Sequence, residues 1–408
     1  MQNKKLEAEN YFTLGRYTEA LKPAFEARKL LMYAYALVQI PEPGEFRALW
    51  DHSGTGLWPG DWTRSAHQIY DSGFNAIFSN MLWGGLAHYP SMVLPRSSIY
   101  TDYGDQIDQS VNACKLAGIE THVWKVNWNL SKAPVAFVDS MRAAARTQVD
   151  VWGNDIDWLC PSNPDNRQLE IDSMMEVVNW YDIDGIHLDY IRYPGNETCY
   201  CDGCRVRFES YRGSAVPVWP DDCYDGALAA EYRDWRVLQI TSLVQRVHDE
   251  VKASKPTVKV SAAVFSSYPN CRTTVGQDWV DWIAKGYLDF VLPMDYTDNP
   301  YSFADIVAQQ LALVAGRIPM YPGIGVTSSS STLSIDKAIV QILETRKQET
   351  HGFILFSYNS SVGAEILPPL AMGTTYRMPD SVPLEGKRLV YFLMLISWGF
   401  VLYQQHRH

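Results

Sequence analysis

Asp184-Gly-Ile-His-Leu-Asp-Tyr-Ile-Arg-Tyr-Pro194 decides how this chain is read. Ile186, Leu188 and Tyr190 alternate with His187, Asp189 and Ile191, the period-2 pattern of a β-strand. Gly185 and Pro194 bracket the run. A strand buried on both faces should be almost wholly apolar. This one carries His187, Asp189 and Arg192 towards its C-terminal end. In an α/β barrel that end is where active sites sit. An Asp so placed must be solvated, paired or functional.

Working outward, the same kind of run recurs. Strands are expected at Phe46–Trp50, Ala76–Leu82, Glu120–Val126, within Gly185–Tyr190, and at Val258–Val264, Phe290–Met294, Met320–Ile324 and Phe353–Phe356. Helical periodicity fills Leu169–Tyr181, Glu231–Lys252, Trp279–Lys285 and Ile335–Thr350. Eight alternating βα units predict a (β/α)8 TIM barrel over 44–375. The rival is an open doubly wound sheet. No Gly-x-Gly-x-x-Gly follows the first strand, so a dinucleotide site has no support.

Residues 1–43 read as a helical hairpin. Its spacing of Ala8, Tyr11, Gly15, Tyr17, Ala20 and Ala24 resembles one tetratricopeptide unit. One copy cannot bury its own face, so it is a remnant of an array or a collar on the barrel. Residues 376–408 read as a linker and an apolar tail, Leu389 to Tyr403, flanked by basic residues. The tail falls short of the roughly 20 residues of a spanning helix and is expected to touch a membrane or a partner. The N-terminus has no apolar h-region, so no signal peptide is read. The compartment stays open between a cytoplasmic chain and an incomplete secreted or membrane-associated one.

A net charge of −11 argues against a nucleic-acid binder. The strand ends are polar beyond what a structural barrel needs. They carry Arg47, Asp51 and His52; Trp83; Trp124, Lys125 and Asn127; His187, Asp189 and Arg192; Tyr268; Asp295 and Tyr296; and Tyr358. Carboxylates mixed with Trp, Tyr, Asn and Arg are the material of a sugar-binding cleft. Asp189 and Asp295 are the expected catalytic pair, since glycoside hydrolysis needs one carboxyl as acid and another as nucleophile or base. Arg192 would hold Asp189 ionised if the two side chains meet, and apolar neighbours would make Asp295 the acid. Asp51 is a third candidate, or a salt-bridge partner of Arg47 or Arg192. The other residues named are expected to bind substrate.

Glu45–Ser53, Asp184–Pro194 and Gly286–Thr297 resemble the glycosyl-hydrolase-like 10 family. The resemblance implies a glycosidase-type TIM barrel with Asp189 as the leading catalytic candidate. Strand four is also similar to the chitinase pattern Asp-Gly-x-Asp-x-Asp-x-Glu. His187 and Ile191 replace the second Asp and the acid Glu, so that mechanism does not carry over whole. A catalytically dead glycan-binding barrel or a membrane-tethered scaffold would present a similar face.

Seven cysteines is an odd number and argues against a complete disulfide framework. Cys199-Tyr-Cys-Asp-Gly-Cys204 is a C-x-C-x-x-C cluster, and Cys160 or Cys223 could supply a fourth thiolate. The arrangement of Cys160, Cys199, Cys201 and Cys204 resembles the structural zinc site of family 42 β-galactosidases. Four thiolates would close the coordination sphere, so the expected Zn2+ is structural. No organic cofactor is expected.

Overall fold

The computed structural model describes residues 1–377. Eight parallel strands close on themselves: Phe46–Asp51, Ala76–Trp83, Glu120–Val126, Gly185–Asp189, Lys259–Phe265, Phe290–Met294, Gly323–Gly325 and Gly352–Phe356. Each pairs with its sequence neighbour, and the first pairs with both the second and the last. This is the expected TIM barrel, and its strands are called one to eight below.

The alternation read in strand four is the division between two layers. Ile186 and Leu188 pack outward against the surrounding helices. His187 and Asp189 lie on the opposite face. The interior is lined by Trp50, Phe78, Trp124, Phe290 and Leu292. Strand seven is shorter than expected, with Met320 forming an isolated bridge to Val291. At Gly323 a Cβ would meet Trp50 Cζ3 at 2.8 Å and Pro293 O at 2.7 Å, so a glycine lets the Trp50 indole lie against the wall.

Between strands three and four the chain adds an antiparallel hairpin that the sequence reading did not anticipate, Thr147–Val149 with Asp155–Leu159. It carries Trp158 over the barrel mouth, and Cys160 follows it directly. The N-terminal residues form the expected hairpin, Gln2–Thr13 and Tyr17–Leu37. Its second helix packs on helices Ile335–Lys347 and Leu367–Ala371; its first contributes no buried residue. That is collar geometry. The apolar run at 389–403 lies outside the described residues.

Arg47, expected at the cleft, sits at the N-terminal end of strand one, on the opposite side of the barrel. Its guanidinium donates to Glu45 Oε2 at 2.7 Å and to Thr375 O at 3.1 Å. Arg346 donates to both oxygens of the same Glu45 at 2.8 Å, and to Thr374 O at 2.8 Å. Glu45 therefore ties strand one, helix Ile335–Lys347 and the end of the barrel together. Its side chain is 1% exposed. Removing one member of a buried ion network leaves the others uncompensated, at a cost of about 3–5 kcal/mol. Glu45→Ala should lower the free energy of unfolding by that order, seen as a lower urea midpoint, while leaving the far cleft intact. An unchanged midpoint in urea would show that this network does not hold the barrel base.

Candidate active site

At the C-terminal face, strand ends surround a cleft of about 440 Å³. Its walls are Trp50, His52, Trp83, Trp124, Tyr190, Arg192, Phe265, Tyr296 and Phe356, with Ser266 and Ser328–Ser330 at the rim and Asp189 among them. Of the residues expected at the cleft, the structure brings together Asp189, His52, Trp83, Trp124, Arg192 and Tyr296. Among the described residues lining it, Asp189 is the one carboxylate.

Asp189 ends strand four. Its Oδ1 accepts from the backbone N–H of Tyr190 at 2.7 Å, and its Oδ2 accepts from Trp124 Nε1 at 3.1 Å. Tyr190 stands in the left-handed region with φ 51°, which turns the chain sharply out of the strand. Burial pushes the carboxyl up to about 6, outweighing the Tyr190 N–H, the Arg192 charge and the Trp124 N–H, all of which favour the ionised form. The expected Arg192 pairing is not made. Nη1 of Arg192 donates instead to Tyr193 O at 2.9 Å and Pro194 O at 3.4 Å. The guanidinium lies among the rings of Phe265, Tyr190 and Trp158, at 4.7, 4.8 and 5.5 Å.

His187 lies deeper, inside the barrel. Trp50 Nε1 donates to its Nε2 at 3.0 Å, and its Nδ1 is 2.9 Å from Ser261 Oγ. Indole nitrogen only donates, so Nε2 is the acceptor and Nδ1 carries the proton of the neutral ring. Burial holds His187 well below its ordinary range, and it stays neutral. His187 is a strut for Trp50 rather than a cleft residue. His52 does reach the cleft at its exposed rim, packed edge-on to Trp83, Trp124 and Phe356, and partial desolvation of its ring lowers its pKa.

The remaining candidates turn away, for one reason: neighbours in a strand face opposite sides. Met294 and Tyr296 line the cleft, so Asp295 between them points to the helix layer. It is fully buried, and its Oδ1 accepts from Gln310 Nε2 at 2.7 Å. Burial raises its pKa well above the ordinary range, as its apolar setting suggested, but it does not face Asp189 across the cleft. The expected Asp189–Asp295 pair is not brought together. Trp124 points inward and Lys125 outward, where Lys125 Nζ donates to Trp83 O at 2.7 Å and lies 3.3 Å from Glu170 Oε2. Asn127 Nδ2 donates to the same Glu170 oxygen at 2.7 Å. Asp51 spends its carboxylate on its own loop, accepting from Ser53 Oγ at 2.6 Å and Gly56 N–H at 2.9 Å, and pairs with neither arginine. Tyr268 donates to Asp278 at 2.9 Å and Tyr358 to Gln68 at 2.8 Å, both outside the cleft.

Sequence reasoning missed Trp50, Phe265 and Phe356 as cleft walls. Each lies at or next to a strand terminus on the interior face, so the period-2 register would have found them. Trp158 comes from the unanticipated hairpin and had no such signal.

Beside the cleft, Cys160, Cys199, Cys201 and Cys204 place all four sulfurs within 4.8 Å of one another. Cys160 Sγ lies 3.4 Å from Cys204 Sγ and 3.8 Å from Cys201 Sγ. A tetrahedron of Zn–S bonds near 2.3 Å sets its sulfurs roughly 3.8 Å apart, so the cluster fits a tetrahedral thiophilic ion. Cys223 is not part of it. All seven cysteines are free thiols here. Arg207 backs the cluster, with Nη2 3.6 Å from Cys160 Sγ.

A parallel eight-stranded barrel with an aromatic cleft and a carboxyl at the end of strand four is a TIM barrel with its candidate site at the C-terminal face. Residues 61–339 match the family described as Glycosyl hydrolase-like 10, and the chain belongs to that family. An S-layer-related protein of Niallia circulans is 26% identical over 265 residues, 55% of this chain and 16% of that protein. Glycosyl hydrolase YngK of Bacillus subtilis is 23% identical over 303 residues, 65% of this chain and 57% of that protein. The matches thus span 16% and 57% of those relatives' lengths. The fold is similar to the glycoside hydrolase domain of PgaB (BpsB) from Bordetella bronchiseptica. The TM-score is 0.61 at 12% identity, over 76% of this chain and 94% of that one, a likeness of fold.

The raised Asp189 has a consequence for stability. Its proton is held more tightly folded than unfolded, so between about pH 4 and 6 the native state binds more protons and stability falls as pH rises. Above pH 6 the penalty is constant, at most about 3 kcal/mol for a shift of roughly two units. Asp189→Asn should cancel this slope. Melting temperatures from pH 4 to 7 should diverge in the variant's favour up to about pH 6 and then run parallel. A constant difference across that range would place the Asp189 carboxyl near its ordinary value.

Proposed function

We propose that this barrel hydrolyses a glycosidic bond of an oligo- or polysaccharide, with Asp189 as the proton-transfer group. The observation that carries this reading is a buried carboxyl at the wall of an aromatic cleft, with burial pushing its pKa up to about 6. A group titrating near working pH is both protonated often enough to donate and acidic enough to do so. Trp124 Nε1 and the Tyr190 N–H fix where its oxygens point. Trp83, Trp124 and Tyr296 offer faces on which sugar rings stack. This reading reverses the expected roles: burial makes Asp189 the acid rather than the ionised nucleophile.

Hydrolysis asks for a second participant to attack or to activate water. With no other carboxylate among the described cleft residues, that role falls to His52, whose pKa lies below the ordinary value, or to a group carried by the substrate itself. The same lack of a second carboxylate favours one rival, a barrel that binds glycans without cleaving them. A polysaccharide panel separates the two. Asp189→Asn should reduce turnover about 10²–10⁴-fold with binding and circular dichroism retained. His52→Gln should remove a comparable factor if the ring takes the water's proton, and little if the substrate supplies the nucleophile. Saturable binding without products from any glycan would select the non-catalytic reading, and wild-type turnover in Asp189→Asn would remove strand four from the chemistry.

We further infer that Cys160, Cys199, Cys201 and Cys204 hold one Zn2+. Four thiolates leave no open position, so the ion would be structural, fastening the hairpin carrying Trp158 to helix Asp202–Arg212. Purified protein should contain about one Zn per chain, and chelation should lower its melting temperature, because metal binding contributes folding free energy. Metal-free protein with an unchanged melting temperature would contradict the assignment.

A further inference from the structure

Arg192 is the cation in the cleft wall, and its state is unusual. Its guanidinium is half-buried among the rings of Phe265, Tyr190 and Trp158. A charge partly withdrawn from water is normally paired. Among the described residues no carboxylate lies within ion-pair distance of Arg192, Asp189 included. One of its nitrogens has protein acceptors among the described residues: Nη1 donates to the carbonyls of Tyr193 and Pro194. Nε and Nη2 have no hydrogen-bond partner among the described residues. Aromatic faces attract a cation but offer no acceptor in the guanidinium plane.

Those contacts also fix orientation. With Nη1 held by two carbonyls and the plane held by rings, the Nε–Nη2 edge is left open. That edge carries two parallel N–H groups at the spacing of a carboxylate's two oxygens. Arg192 lines the same cleft as Asp189. A guanidinium already immobilised loses little further side-chain entropy when it captures an anion.

We propose that the cleft selects a sugar bearing a carboxylate, a uronate-type residue, which takes the open Nε–Nη2 edge of Arg192. This deepens the glycosidase reading and rests on it for the identity of the cleft. Sulfate and phosphate can take the same fork bidentately, but carboxylate oxygens are more basic than those of a sulfate ester and accept from it more strongly. Neutralising Arg192 would also remove the nearest positive charge acting on Asp189, so a bound uronate favours the protonated acid.

The test uses the full chain at pH 7 with three matched probes: glucuronate, glucose and glucose 6-sulfate. Binding is read by calorimetry and by tryptophan fluorescence, since Trp124 and Trp158 lie beside Asp189 and Arg192. Glucuronate should bind at least about tenfold more tightly than glucose and more tightly than glucose 6-sulfate. Arg192→Gln should abolish the preference for glucuronate. Arg192→Lys, which keeps the charge but loses the fork, should retain only part of the preference over glucose. That conservative variant keeps the test decisive if the glutamine variant fails to fold. Equal binding of glucuronate and glucose, no binding of either, a preference for the sulfate, or a preference that survives Arg192→Gln would each overturn the proposal. Failure of the glycosidase reading looks different: the Arg192-dependent preference would persist while no glycan is cleaved.

Discussion

Closure of eight parallel strands imposes one constraint on every wall residue: neighbours must face opposite sides. One side is a narrow interior opening into the cleft, the other a layer of helices. The constraint leaves no third place for a polar side chain in a central strand. Asp189, Trp124 and Tyr296 are sorted inward; Lys125 and Asp295 are sorted outward. The outward residues are then obliged to find partners in a dry layer. Lys125 meets Glu170 of helix Pro164–Trp180, and Asp295 meets Gln310 of helix Pro300–Val314. These contacts fasten helices to the wall and contribute position rather than chemistry.

The inward face has a different electrostatic character. Tryptophan, tyrosine and phenylalanine exclude water, and the few polar groups there are forced to extremes. His187 is neutral and bridges Trp50 to Ser261. Asp189 holds its proton to about pH 6. Arg192 stays charged and, among the described residues, meets two carbonyls and three rings. Folding tolerates a carboxyl held away from its ordinary state in the cleft because the Glu45 network and the hydrophobic layer stabilise the barrel elsewhere. Such local destabilisation is characteristic of functional sites.

Most of the fold was legible in the sequence because strand periodicity reports burial directly. All eight strands lie where the pattern placed them, with strand seven shortened. The Thr147–Leu159 segment was not legible, since a short hairpin with half-exposed strands leaves little periodic signal. Site residues were harder. Being near a strand end is visible in sequence, but which side a residue faces depends on register, and the loop after a strand resets it. Asp51 shows a second limit: a carboxylate beside Ser53 and Gly56 is consumed by a local turn, which strand-end position alone does not reveal. The thiolate cluster was legible in full, because C-x-C-x-x-C spacing already confines three sulfurs, and the structure then chose Cys160 over Cys223.

Everything said of the chemistry turns on burial outweighing the hydrogen bonds and the nearby cation at Asp189. Carbon-13 NMR of aspartate-labelled protein, with the Asp189 carboxyl assigned by its loss in Asp189→Asn, reads that balance directly. A titration midpoint near 6 is the outcome the account predicts. A midpoint at or below the ordinary aspartate value near 4 would mean that Arg192 and the donated hydrogen bonds dominate, and that Asp189 works as a fixed anion rather than as an acid.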